Sequence, residues 1–137
     1  MTKQSFTWPV RVYFEDTDAA GIVYHANYLR FMERARTEWL RALGFEQDEV
    51  RRRDGVVFVI TRSDVTYRAP ARFNQELLVT SVLERLRRAS LTFTQRIDDR
   101  DGRAIASAVN AIACVDAETM TPRRIPAPML GAFERAQ

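Results

Sequence analysis

Between Tyr13 and Thr37 the chain reads YFEDTDAAGIVYHANYLRFMERART, which sets Glu15, Asp16 and Asp18 just ahead of a helix-like run and holds the only histidine, His25. A helix start is a place where chemistry can be done. Its first backbone N–H groups lack partners inside the helix and sit at the positive end of the helix dipole, so they can donate to a developing oxyanion. A carboxylate held opposite them could attack a carbonyl carbon or activate water against it. Asp18 closes the segment before the turn, and Gly21 permits backbone conformations closed to other residues, letting main chain approach a ligand. Acid and oxyanion donor therefore fall on one short loop.

The same residues have a plainer reading. Acids ahead of a helix are common caps, worth about 0.5–2 kcal/mol, and a lone histidine there is more often hydrogen-bonded framework than catalyst. Local physics by itself favours that reading. A metal site is not expected, because one histidine and no cysteine pair leave too few ligands for zinc. Cys114, the single cysteine, lies in the alternating run AIASAVNAIACVD and reads as a small core residue. It has no partner for an intrachain disulfide, which fits a reducing compartment.

The elements around the loop read from hydrophobic periodicity. Phe6, Trp8, Val10, Val12 and Phe14 alternate as a strand. From about Asn27 the period changes: Tyr28, Phe31, Met32, Ala35, Trp39 and Leu43 fall on one helical stripe, and Gly44 follows as a C-terminal cap. FEQDEVRRRDG reads as a short helix and turn. Strand-rich segments follow: VVFVITRSDVTYRAP, QELLVTSVLERLR, ASLTFTQRID and, after a turn at DRDG, RAIASAVNAIACVDAE. These four strands are expected to run as a meander, and PAPMLGAFERAQ to form a last helical turn or two. One apolar helix needs a surface to cover, and a broad antiparallel sheet wrapped around it is the economical solution. The expected class is α+β.

At 137 residues, 46% hydrophobic and 28% charged, the chain fits one domain spanning residues 1–137. Its N-terminus lacks the apolar stretch of a signal peptide, and no run of eighteen apolar residues predicts a membrane span. Net charge is +3, and Lys3 is the only lysine among 21 basic residues. The arginines cluster at Arg51–Arg53, at Arg85, Arg87 and Arg88, and at Arg123 and Arg124. Such clusters are solvated faces or surfaces for phosphate. With no aromatic interleaving and no nucleic-acid motif, a nucleic-acid partner is not expected.

The stretch Asp16, Thr17, Asp18, Ala19, Ala20, Gly21, Ile22, Val23, Tyr24, His25, then Asn27 and Tyr28, resembles the signature of the 4-hydroxybenzoyl-CoA thioesterase family of hotdog-fold proteins. More narrowly it resembles the tol-pal-associated acyl-CoA thioesterase branch. The likeness continues through FMERART, LRALGF, VTYRAPARF and RRASLTFTQRI. It implies a hotdog fold, a curved antiparallel sheet around one long central helix, pairing into dimers or tetramers with active sites at the subunit interface. It implies a cytoplasmic acyl-CoA thioesterase that needs no cofactor, coenzyme A being part of the substrate. Asp18 then matches the catalytic carboxylate, as nucleophile or general base. The backbone N–H of His25 matches the oxyanion donor, and its side chain orients substrate or water. Gly21 and Tyr24 shape the substrate loop, Asn27 caps the helix, and Asp16 is an outer partner or a solvated acid. Arg87, Arg88 and Ser90 match coenzyme A contacts, for which arginine forks are suited; Arg51–Arg53 read as a solvated face. Acyl carrier protein is a further partner to consider. The alternative of another class is a weakly active hotdog binding protein tied to phospholipid synthesis or the tol-pal envelope system. A hydratase ranks below both, since His25 is its only candidate base.

Overall fold

A computed structural model describes residues 3–137. In chain order it contains β1 (Phe6–Arg11), a one-turn 3-10 helix (Phe14–Asp16), α1 (Asn27–Ala42), α2 (Gln47–Asp54), β2 (Val56–Tyr67), β3 (Glu76–Leu86), β4 (Ser90–Asp99), β5 (Ala104–Asp116) and α3 (Ala127–Ala136). The expected α+β class holds: a five-stranded antiparallel sheet curves around α1, as in the hotdog fold.

The expected meander does not hold for all four strands. The sheet order is β1-β3-β4-β5-β2, so only β3, β4 and β5 run as neighbours in sequence. β2 instead crosses to the far edge and pairs with β5 from Val56↔Asp116 to Tyr67↔Ala106. The reason lies in the 68–75 segment. Rather than turning tightly into β3, it lays Ala71 and Arg72 against the loop before α1, with Val23 N–H donating to the Ala71 carbonyl at 2.9 Å and Ile22 bridging Arg72. The tail is also longer than expected, with ten helical residues in α3.

The apolar stripe of α1 faces the sheet, and Tyr28, Phe31, Met32, Ala35, Trp39 and Leu40 are buried. Leu43 is only partly buried, because it already belongs to the cap, and Gly44 takes the left-handed conformation beyond it (φ 96°). Trp39 ties α1 to both neighbouring layers, its ring 5.0 Å from Phe93 on β4 and 5.0 Å from Phe133 on α3. Aromatic contacts of this kind add about 0.5–1.5 kcal/mol beyond area burial.

A polar chain crosses this core. Gln95 Nε2 donates to the Met32 carbonyl (3.0 Å) and to Ser81 Oγ (2.9 Å), while its Oε1 accepts from Arg36 (2.8 Å) and Asn110 (2.9 Å). Ser63 Oγ on β2 donates to Asn110 Oδ1 at 2.7 Å. Among the described residues no buried side-chain nitrogen or oxygen lacks a partner. A network satisfied in this way fixes the register of helix on sheet rather than weakening it.

Cys114 is fully buried on β5, and burial pushes its thiol up to about 11. An alkylating reagent at pH 8 is expected to label the native chain far more slowly than the urea-unfolded chain, since the thiolate is the reactive form. The unfolded thiol ionises first as pH rises, so this group's contribution to stability is complete below the ordinary thiol range and is lost toward about 11. Equal labelling rates would place Cys114 outside the core.

Candidate active site

The loop from Tyr13 to Ala26 is held by its own backbone and by one buried acid. Asp16 is 4% exposed. Its Oδ2 accepts the Tyr13 N–H at 2.8 Å, its Oδ1 accepts Asn27 Nδ2 at 3.0 Å, and its carbonyl accepts the Tyr24 N–H at 2.9 Å. Asp16 is therefore neither solvated nor free to react; it anchors the start of α1. Asn27 does not cap the helix as expected. It is the first helical residue, Ala26 occupies the cap position, and the Asn27 amide is spent on Asp16.

Asp18, two residues on, has the opposite environment. It is exposed at the head of a tight turn in which Gly21 N–H donates to its carbonyl (2.9 Å) and Ala20 N–H to its Oδ1 (2.8 Å). Oδ2 has no partner among the described residues. Thr17 bridges Val23 across this turn, and Gly21 adopts the left-handed conformation (φ 79°) that other residues adopt only with strain. No atom lies within 4 Å of the place where a Cβ on Gly21 would sit, so backbone shape, not crowding, selects glycine there.

His25 stands at the helix start with its side chain exposed, its ring 4.6 Å from that of the exposed Tyr24. Among the described residues its backbone N–H makes no hydrogen bond. Its carbonyl does: Tyr67, at the end of β2, donates its hydroxyl to His25 O at 3.1 Å. Tyr28 Oη accepts the Ala71 N–H at 3.1 Å. Burial raises the Tyr28 pKa, against the lowering effect of the Ala71 N–H it accepts and with help from the nearby Asp18 charge, so the ring stays a neutral phenol. Asp18, Tyr28, Tyr67 and His25 thus share one neighbourhood: a carboxylate oxygen with no protein partner and an N–H with no protein partner at the positive end of a helix. A free N–H at a helix start can polarise a carbonyl, and a free carboxylate can serve as nucleophile or base.

Arg87, Arg88 and Ser90 are elsewhere. They form the β3–β4 turn, closed by Arg87 N–H donating to the Ser90 carbonyl at 2.8 Å, and both arginines are exposed. β1 meets β3 at Arg11↔Glu76, beside the Asp16–Asp18 loop, whereas Leu86↔Leu91 marks the other end of β3. At about 3.3 Å per residue the two ends of β3 are roughly 30 Å apart. Within one chain the structure does not bring the arginine turn to the loop. It brings the turn to Arg124 instead, which lines a cleft with Arg88 and Leu130, while Arg123 is engaged by Asp116 at 2.7 Å. Arg51–Arg53 lie exposed on α2, Arg52 against Asp48 and Arg53 against Asp54, as a solvated face should.

A pocket of about 200 Å³ opens between α1 and the first half of β2, floored by Leu40, Phe93, Ile112 and Phe133 and rimmed by Arg36 and Ile60. Sequence reading missed the pocket, and missed Tyr67 as a support of the helix start. The signal for Tyr67 was faint, since its hydroxyl contacts a residue 42 positions away. Among the described residues, no group of three His, Cys, Asp or Glu side chains could hold a metal ion, and no helix is long and apolar enough to cross a membrane.

Known proteins resemble this chain along most of its length. The chain is 42% identical over 135 residues to the Escherichia coli acyl-CoA thioester hydrolase YbgC, covering 98% of this chain and all of that protein. It is 39% identical over 133 residues to the Haemophilus influenzae acyl-CoA thioesterase YbgC, covering 97% of each. Its fold superposes on the DHNA-CoA thioesterase of Staphylococcus aureus with a TM-score of 0.91 at 20% identity, over 97% of this chain and 91% of that one, a likeness of fold. The model of the thioesterase-like superfamily matches residues 12–133. With a helix start and acid loop of the kind described and a family match across nearly the whole chain, the conclusion is direct: this chain belongs to the thioesterase-like superfamily.

Proposed function

We propose that this protein is a cytoplasmic acyl-CoA thioesterase, residues 1–137 forming one catalytic domain, that hydrolyses acyl-CoA to a free carboxylic acid and coenzyme A. The observation that carries the reading is that one short loop leaves both the backbone N–H of His25 and the Oδ2 of Asp18 without a hydrogen-bond partner among the described residues. The thioester carbonyl oxygen accepts from that N–H, which draws charge off the carbonyl carbon and stabilises the tetrahedral oxyanion. The Asp18 carboxylate then either attacks the carbon, giving an acyl-enzyme anhydride that water opens, or takes a proton from the attacking water. In both routes coenzyme A leaves as the thiol. A thioester is already electrophilic, so one acid and one oxyanion donor suffice. The 42% identity to a protein named as an acyl-CoA thioester hydrolase supports the same reading.

The working unit in this proposal is a dimer or tetramer. β2 is an edge strand of twelve residues with one side unpaired, and Ile60 (46%) and Tyr67 (48%) are exposed on it. A long bare edge is a template for another strand. Antiparallel pairing of two copies about the middle of the 60–67 segment sets Ile60 of one copy opposite Tyr67 of the other. One copy's pocket and arginine turn then lie on the side of the other's His25, which answers the separation of the two site halves within a chain. Sedimentation is expected to give two or four times the 15.8 kDa chain mass; a fully active monomer would overturn the shared site.

The test of function is steady-state release of thiol from short, long and aromatic acyl-CoAs. Turnover of at least one class is expected, and acyl carrier protein thioesters in the same panel decide whether that protein also serves as carrier. A folded chain that releases thiol from none of them is not a thioesterase.

A further inference from the structure

Arg36 makes no ion pair among the described residues. It lies on α1 about three turns beyond His25, half-buried, and partial burial pulls its pKa below the usual arginine value while the charge of Glu33 opposes the shift. Its Nη1 donates to Gln95 Oε1 at 2.8 Å, and that neutral amide is its only hydrogen-bond acceptor among the described residues. No carboxylate stands within ion-pair distance of it there, although nine such pairs form elsewhere. Because no buried polar atom is left unsatisfied, its remaining nitrogens are those that reach open space, and Arg36 lines the pocket of about 200 Å³. A half-buried cation with accessible, unpaired nitrogens can take a partner, and a guanidinium fork is suited to a carboxylate. Below it the pocket is floored by Leu40, Phe93, Ile112 and Phe133, which suit methylenes.

We propose that this pocket selects acyl groups bearing a carboxylate at the far end, held by Arg36 with their methylenes on the aromatic floor. A pocket of about 200 Å³ points to short dicarboxylic acyl chains rather than long ones. The inference rests on the thioesterase reading above and on pairing of β2 edges, which sets one copy's pocket beside the other's His25. Glu33 also lines the pocket and is exposed, so it lies toward the mouth, where water screens it from a carboxylate bound at Arg36.

The experiment compares glutaryl-CoA with pentanoyl-CoA, equal in carbon count and differing in the terminal carboxylate. Wild type is expected to show kcat/KM at least tenfold higher for glutaryl-CoA. Arg36→Met should lower kcat/KM for glutaryl-CoA to the level of pentanoyl-CoA, abolishing that preference, and Arg36→Lys should keep part of it. Glutarate should also perturb the fluorescence of Trp39, which lines the pocket, in wild type and not in Arg36→Met. Equal or reversed preference in wild type overturns the inference and leaves the thioesterase reading standing. Absence of turnover on both substrates and on the wider acyl panel overturns the thioesterase reading, and this inference with it. If Arg36→Met does not fold, the wild-type ratio and the lysine variant still decide. Equal losses on both substrates in a folded Arg36→Met assign Arg36 to the framework.

Discussion

Asp18→Asn is expected to lower thioester turnover by about 10²- to 10⁴-fold, the range for loss of a positioned base or nucleophile, with little change in stability. The two halves of that expectation come from the same geometry. Asp18 is exposed, and its one side-chain hydrogen bond accepts the Ala20 N–H at Oδ1, an oxygen that asparagine retains. What asparagine removes is the charge and the free Oδ2. Exposed substitutions of this kind stay within about 0.5 kcal/mol. Thiol release measured beside a urea unfolding curve separates the effects. Full turnover in the variant would strip Asp18 of its role, and a large drop in unfolding midpoint would make it a framework residue.

Asp16→Ala is expected to do the reverse, lowering stability by about 2–4 kcal/mol, because it orphans two donors and a buried unsatisfied group costs about 1–3 kcal/mol. The orphans are the Tyr13 N–H and the Asn27 amide, and Asn27 is itself buried at the first position of α1. For a chain of this size that loss lowers Tm by on the order of 10 °C. Turnover should fall as well, assayed well below Tm, because the same carboxylate holds the helix start proposed to carry the oxyanion donor. Unfolding and kinetics on the two variants therefore cross: Asp18→Asn loses chemistry and keeps its fold, Asp16→Ala loses fold first. A chain as stable as wild type after Asp16→Ala would mean that the contact with Ala71 and Arg72 alone positions the loop.

These two acids show where sequence stops. They are two residues apart and chemically alike, and both precede a helix. Only the folded chain turns one inward to Asn27 and leaves the other at the mouth of a turn. The acid loop, the glycine and the helix start were legible because each rests on local rules: periodicity in α1, a left-handed turn at Gly21, donors at a helix N-terminus. The short helix α2 and the solvated Arg51–Arg53 face were legible for the same reason.

What the sequence could not decide was long-range. β2 has the same apolar content wherever it pairs, and nothing in it specifies β5 over β3; that choice is made by the 68–75 segment, which must reach the acid loop and close on it. Tyr67 supports His25 only because β2 ends there. Arg36 reads as one more charge on a helix until the sheet half-buries it and leaves it facing a pocket. The arginine turn and the acid loop look like parts of one site in sequence, yet β3 holds them at opposite ends of the sheet. By itself the sequence determined which groups could do chemistry and which local backbone presents them, because those depend on neighbours a few residues away. Tertiary structure decided which of those groups are buried, which are open and which share a surface, because burial and pairing depend on contacts between segments far apart in the chain.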